Sequence, residues 1–236
     1  MRKLVLAAVV AALAVTAAAA LASSQATTFS FKQSTRAEGA PTGIAFKVEF
    51  GDPAAANGVP SGLKDFKITM PRGAKIDPGG ATQCKTTDAN LMSKGAAACP
   101  AASRIGTGKA TATSTDGSTN VDVAGYVFNA KSAGKNSWLF VFLINNSYAA
   151  SFYAPVKGPT LSAKGLTGAV PGDLLVTKFA GTIAKHSKGK GKKKHNLITA
   201  PSVCPKSKKW TNKASWTFVD GSKDTSTSTS PCKPGR

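Results

Sequence analysis

Apolar and polar residues alternate one for one along much of this chain. That period belongs to extended backbone, whose side chains point to opposite faces in turn. Ile44, Phe46, Val48 and Phe50 alternate with Ala45, Lys47 and Glu49. Phe29 and Phe31 alternate with Ser30 and Lys32, and Phe66, Ile68 and Met70 with Lys67 and Thr69. Each run predicts a strand with one buried face. The run Trp138–Ile144 is apolar throughout, so it predicts a central strand covered on both sides. Turn residues sit between the runs. Asp116-Gly117 separates two alternating segments and marks a hairpin, and Asn145-Asn146 and Asp220-Gly221 mark two more. A single helix is expected, from Thr87 to Lys94, with Thr87 or Asp88 as its cap and Gly95 as its stop. The expected class is therefore all-β, an antiparallel β-sandwich with one short helical excursion. The turn-rich stretch from Arg72 to Arg104 is a possible boundary between two units; the reading taken is one continuous domain over residues 23–236.

The N-terminus places Met1-Arg2-Lys3 before an apolar run from Leu4 to Ala22 that is more than half alanine. Charge, apolar stretch and small-residue exit make a secretory signal peptide over residues 1–22, with Ala20-Leu21-Ala22 as the cleavage pattern and a retained anchor as the alternative. The later apolar runs are too short for a transmembrane helix, so no integral span is expected after cleavage. In the secreted or extracytoplasmic setting this implies, four cysteines suggest disulfides. Three pairings are possible. Cys84–Cys99 and Cys204–Cys232 are favoured because each closes a local loop, the first around the expected helix. A zinc site lacks any C-x-x-C, and both histidines lie among lysines.

Motifs of catalysis are missing. No serine has the G-x-S-x-G surroundings of a nucleophile elbow. Gly106-Thr107-Gly108-Lys109-Ala110 lacks the first glycine and the final hydroxyl of a phosphate-binding loop, and it opens a strand rather than a helix. Several of the nine aspartates occupy turn positions. Glu38 and Glu49 are poor candidates for a glycosidase pair, because Glu49 alternates outward. No clustered acids suggest calcium, and no cofactor is implied. The chain is read as non-catalytic.

Charge is the one distinctive feature, at +20 over 236 residues. Leu174 to Val219 contains no acid and 11 lysines. Lys185, Lys188, Lys190, Lys192, Lys193 and Lys194 fall in a glycine-bearing tract expected to form a flexible loop over 185–195. Lys206, Lys208, Lys209 and Lys213 follow it. Together these ten form the candidate surface for an anionic partner: a cell-wall polymer, acidic polysaccharide, anionic lipid or extracellular DNA. Lysine without arginine favours diffuse attraction over shaped recognition. The competing readings are a solubilising run on a purely structural surface protein, and a hydrolase acting on envelope or extracellular polymers.

Four motifs together resemble a group of secreted β-sandwich proteins of uncharacterised function from actinobacteria. The first two are Met70-Pro71-x-Gly73-x-x-Ile76-Asp77-Pro78 before Cys84, and Ala98-Cys99-Pro100-x-x-Ser103-x-Ile105-Gly106-x-Gly108-x-Ala110. Leu197-x-Thr199-x-Pro201-x-x-Cys204-Pro205 and Trp216-x-Phe218-x-Asp220-Gly221, with Cys232 last, complete the likeness. The resemblance implies export and architecture; it implies no activity.

Overall fold

The computed structural model describes residues 25–166 and 173–234. The expected signal peptide lies outside the described residues. The strands in chain order are β1 (Ala26–Gln33), β2 (Ile44–Phe50), β3 (Leu63–Thr69), β4 (Lys75–Ile76) and β5 (Arg104–Ser114). Then come β6 (Asn120–Ser132), β7 (Lys135–Ile144), β8 (Ser147–Lys157), β9 (Thr160–Ala163) and β10 (Leu174–Ile183). The last five are β11 (Ser187–Lys188), β12 (His195–Asn196), β13 (Ile198–Thr199), β14 (Lys209–Phe218) and β15 (Lys223–Pro231). The one α-helix among the described residues is α1 (Asp88–Lys94).

Eleven strands form one antiparallel sheet in the order β1-β2-β10-β5-β6-β7-β8-β9-β3-β14-β15. The all-β class and the helical excursion in a disulfide-closed loop are as the alternation indicated. The sheet curls until its edge strands meet, so the two layers of a sandwich become opposite walls of a nearly closed barrel. Side chains bridge the seam between β1 and β15. Phe31 N–H donates to Ser228 Oγ at 2.9 Å, Gln33 N–H to Ser230 Oγ at 3.1 Å, and Ala26 N–H to Asp224 Oδ2 at 2.8 Å.

The three expected hairpins are present, joining β5 to β6, β7 to β8 and β14 to β15. Asn145 and Asn146 have φ of 50° and 64°, the left-handed pair that a two-residue hairpin demands and that asparagine tolerates. Strand β7 is covered on both faces. Trp138, Phe140 and Phe142 point into the barrel with the main core, while Leu139, Val141 and Leu143 pack outside with Leu91 of α1. Each such burial contributes roughly 2 kcal/mol of transfer free energy. Thr87 caps α1, its hydroxyl accepting from Asn90 N–H at 3.3 Å, and Gly95 ends it at φ 54°. Cys84–Cys99 closes this excursion and Cys204–Cys232 ties the C-terminal strand to the preceding loop, with Cα separations of 5.2 and 5.7 Å.

Register defines two ends. At one lie Gly51, the Asp116, Asn145 and Asp220 hairpins, and the start of β10. The other is closed by the segments around Ala74–Ala81 and Leu197–Ala200. There β4 pairs with β13, and Leu197 and Ile198 are fully buried.

Candidate functional site

Exposed cations converge on the closed end. The chain leaves β10 at Ile183 and folds back in a small hairpin. Ser187 pairs with Asn196 and Lys188 with His195, and Gly191–Lys193 forms a single 3₁₀ turn at the tip. The lysine tract expected as a loop over 185–195 thus carries a two-residue ladder and a turn. The reason is a set of anchors distant in sequence. His195 Nδ1 meets Asp77 Oδ2 at 2.8 Å, Leu197 N–H donates to His186 O at 3.0 Å, and the His186 ring lies 3.3 Å from Ile105 O. Lys185, Lys188, Lys190, Lys192, Lys193 and Lys194 are all exposed on the hairpin.

Lys206, Lys208 and Lys209 belong to the same end. The Cys204–Cys232 bridge holds their segment, Cys232 N–H donates to Lys208 O at 3.0 Å, and the indole N–H of buried Trp210 donates to Val203 O at 3.0 Å. Lys213 stands apart on the outer wall, paired in register with Thr69. The structure adds cations that the run of lysines does not reveal: Arg36, Arg72, Lys75, Lys131, Lys135, Lys157 and Lys233 are near this end too. They come from separate loops, so no local pattern marks them. The two acids there, among the described residues, are both engaged. Asp77 holds His195, and Glu38 accepts from Cys204 N–H. Burial pushes the Asp77 carboxyl up, but the His195 ring and the Gly79 N–H outweigh it and leave it below the ordinary range.

The opposite end is acidic. Asp52, Asp65, Asp116, Asp122, Asp173, Asp220 and Asp224 lie on or beside its turns, with Lys64, Lys164 and Lys223 as their basic neighbours. On the wall between, Lys47 Nζ bonds Glu49 at 3.0 Å and holds that carboxyl below its usual value.

His195 and Asp77 form an imidazole–carboxylate pair, the element a hydrolase would need. Their side chains are 56% and 45% exposed, and no hydroxyl bonds the ring among the described residues. Among the described residues no cluster of three or more His, Cys, Asp or Glu has the makings of a metal site. No helix among them is long and apolar enough to cross a membrane.

A nearly closed antiparallel barrel with a basic and an acidic end is thus the class that fold and surface define. No family model, curated protein or solved structure matches the chain.

Proposed function

We propose that this chain is an exported, non-catalytic module of the cell envelope or extracellular space that docks on anionic polymers through its basic end. One observation carries the reading: cations from the segment between β10 and β13, the Cys204 loop and several further turns share one end, while seven aspartates gather at the other. Such a separation steers a polyanion to one face and repels it from the opposite one. Two disulfides suit an oxidising compartment, where wall polymers and acidic polysaccharides are the abundant anions. Point charges on flexible stems match a repeating anion without reading its fine geometry, so identity of the sugar matters little. Export and the resemblance to the actinobacterial group belong to this same reading.

The test is retention on immobilised heparin or teichoic acid. Neutralising contacts release counterions, so about six contacts should lower affinity roughly a thousandfold between 50 and 200 mM salt. A variant with Lys188, Lys190, Lys192, Lys193 and Lys194 all changed to Gln should elute at clearly lower salt while unfolding within about 0.5 kcal/mol of the parent. Co-elution of variant and parent would leave the tract a solubilising feature only.

A further inference from the structure

The barrel is hollow. Between its walls lies a cavity of about 300 Å³. Nine of the 11 phenylalanines line it, with Trp138 and Trp216. Its one charged lining residue, Lys47, has its ammonium group paired with Glu49. Protein interiors are normally packed with few voids larger than a water, and a void walled by hydrocarbon gives water nothing to bond. Phe29, Phe46, Phe152 and Phe179 face inward yet remain only half-buried. They border space instead of filling it. Phe140 stacks on Phe152 with centroids 4.8 Å apart, and Phe179 meets Phe142 edge-on at 5.6 Å, so the rings brace one another around the opening.

The cavity has direction. At the acidic end its rim carries Leu63, Leu174, Leu175 and Val219, the last 54% exposed. Towards the closed end stands Trp138, 2% exposed, whose indole Nε1 has no acceptor among the described residues. Its register partner across the sheet, Asn129, keeps a side-chain oxygen with no donor. Both atoms are sealed from the cavity and Asn129 does not line it, so the lining stays apolar to its closed end.

The geometry points to an apolar-ligand site inside the barrel. It takes an uncharged hydrocarbon molecule that enters from the acidic end. This site is independent of the basic end: it lies in the interior and shares no lysine with the polymer-docking surface.

The probes are 1-dodecanol, dodecane and a bromine-substituted fatty alcohol, added to the oxidised protein. Bromine quenches indole fluorescence on contact. Trp138 and Trp216 line the cavity, whereas Trp210 does not. Saturable quenching at one molecule per chain is expected, reversed by competing dodecanol. Unsaturable quenching, or none, overturns the site. Val176→Trp places an indole in the cavity and should weaken binding about tenfold or more, because the new ring takes the ligand's volume. Leu161→Phe, on the opposite wall, serves the same purpose if the first variant fails to fold. Unchanged affinity in a folded filling variant moves binding to the outer surface and sinks the proposal. Dodecane should bind at least as well as dodecanol, because the lining offers the hydroxyl no partner; a strong preference for the alcohol would overturn the apolar assignment. Retention on heparin should be the same with and without dodecanol, which keeps this test separate from that of the basic end.

Discussion

At the acidic end of the barrel almost every turn carboxylate is engaged by backbone. Asp116 accepts from Ser118 N–H at 3.0 Å, Asp220 from Ser222 N–H at 2.9 Å, and Asp52 from Ala54 N–H at 2.8 Å. The basic end is built differently. Its loops are held by a disulfide, by His195–Asp77 and by main-chain bonds, while the exposed ammonium groups of Lys185–Lys194 form no ion pair among the described residues. The two ends therefore differ in what their charges are for. Aspartate is the residue that closes a turn by bonding its own backbone, and its position follows from that. No such local chemistry places a lysine, so turn bonding does not account for the lysines clustered at this end.

That contrast can be broken in three ways. The largest effect should come from Cys204→Ser with Cys232→Ser. The bridge spans 28 residues, and chain entropy gives it about 3–4 kcal/mol. Denaturant unfolding should show that loss, and hydrogen exchange should speed up around Trp210 while the Asp116 hairpin stays protected. Equal loosening of both ends would mean that they are not separately built.

A smaller effect is expected from single changes at each end. Asp220 also accepts from Gln25 Nε2 at 2.9 Å, so Asp220→Ala removes several bonds at once and should cost about 1 kcal/mol. Lys192→Ala should leave stability within about 0.5 kcal/mol. If the lysine change proves as costly as the aspartate change, the lysines are structural after all.

The smallest effect concerns pH. The Ser114 hydroxyl, with the Ser118 N–H and hydroxyl, holds the Asp116 carboxyl down from 3.8 to about 2. The folded value is the lower one. Its contribution is thus complete above the unfolded value and fades as the pH falls through about 2. A carbon-detected titration of Asp116 should show this low midpoint. A midpoint at the ordinary carboxylate value would mean that the turn bonds do not persist in solution.

Turns and faces were legible because their causes are local. Asp116-Gly117, Asn145-Asn146 and Asp220-Gly221 announce themselves by residue type, and Thr87 with Gly95 brackets α1. The double cover of β7 could be read from seven apolar residues in a row. Closure could not. Strand β10 slots between β2 and β5, far from both in sequence, and nothing in its own pattern names those neighbours. The hollow interior was hidden for the same reason. Alternation says that Phe46 and Phe179 face inward, but only the strand order sets how far apart opposite walls stand. Glycine and lysine dominate the 185–195 tract, and composition alone predicts a loop there without naming its anchors. The residue that pins it, Asp77, lies 118 positions away.

The serine bridges of the seam have a consequence for how this molecule meets others like it. An open sheet ends in two rows of unpaired amides, a standing invitation for a foreign strand to add itself. Here Ser228 and Ser230 answer the amides of Phe31 and Gln33, and Asn212 Nδ2 donates to the Phe31 carbonyl at 2.8 Å. The edge is thereby capped by side chains that imitate a neighbouring backbone without extending the ladder. Ser228 and Ser230, part of a stretch that looks like low complexity in the one-letter code, thus leave this edge fewer open amides for a foreign strand.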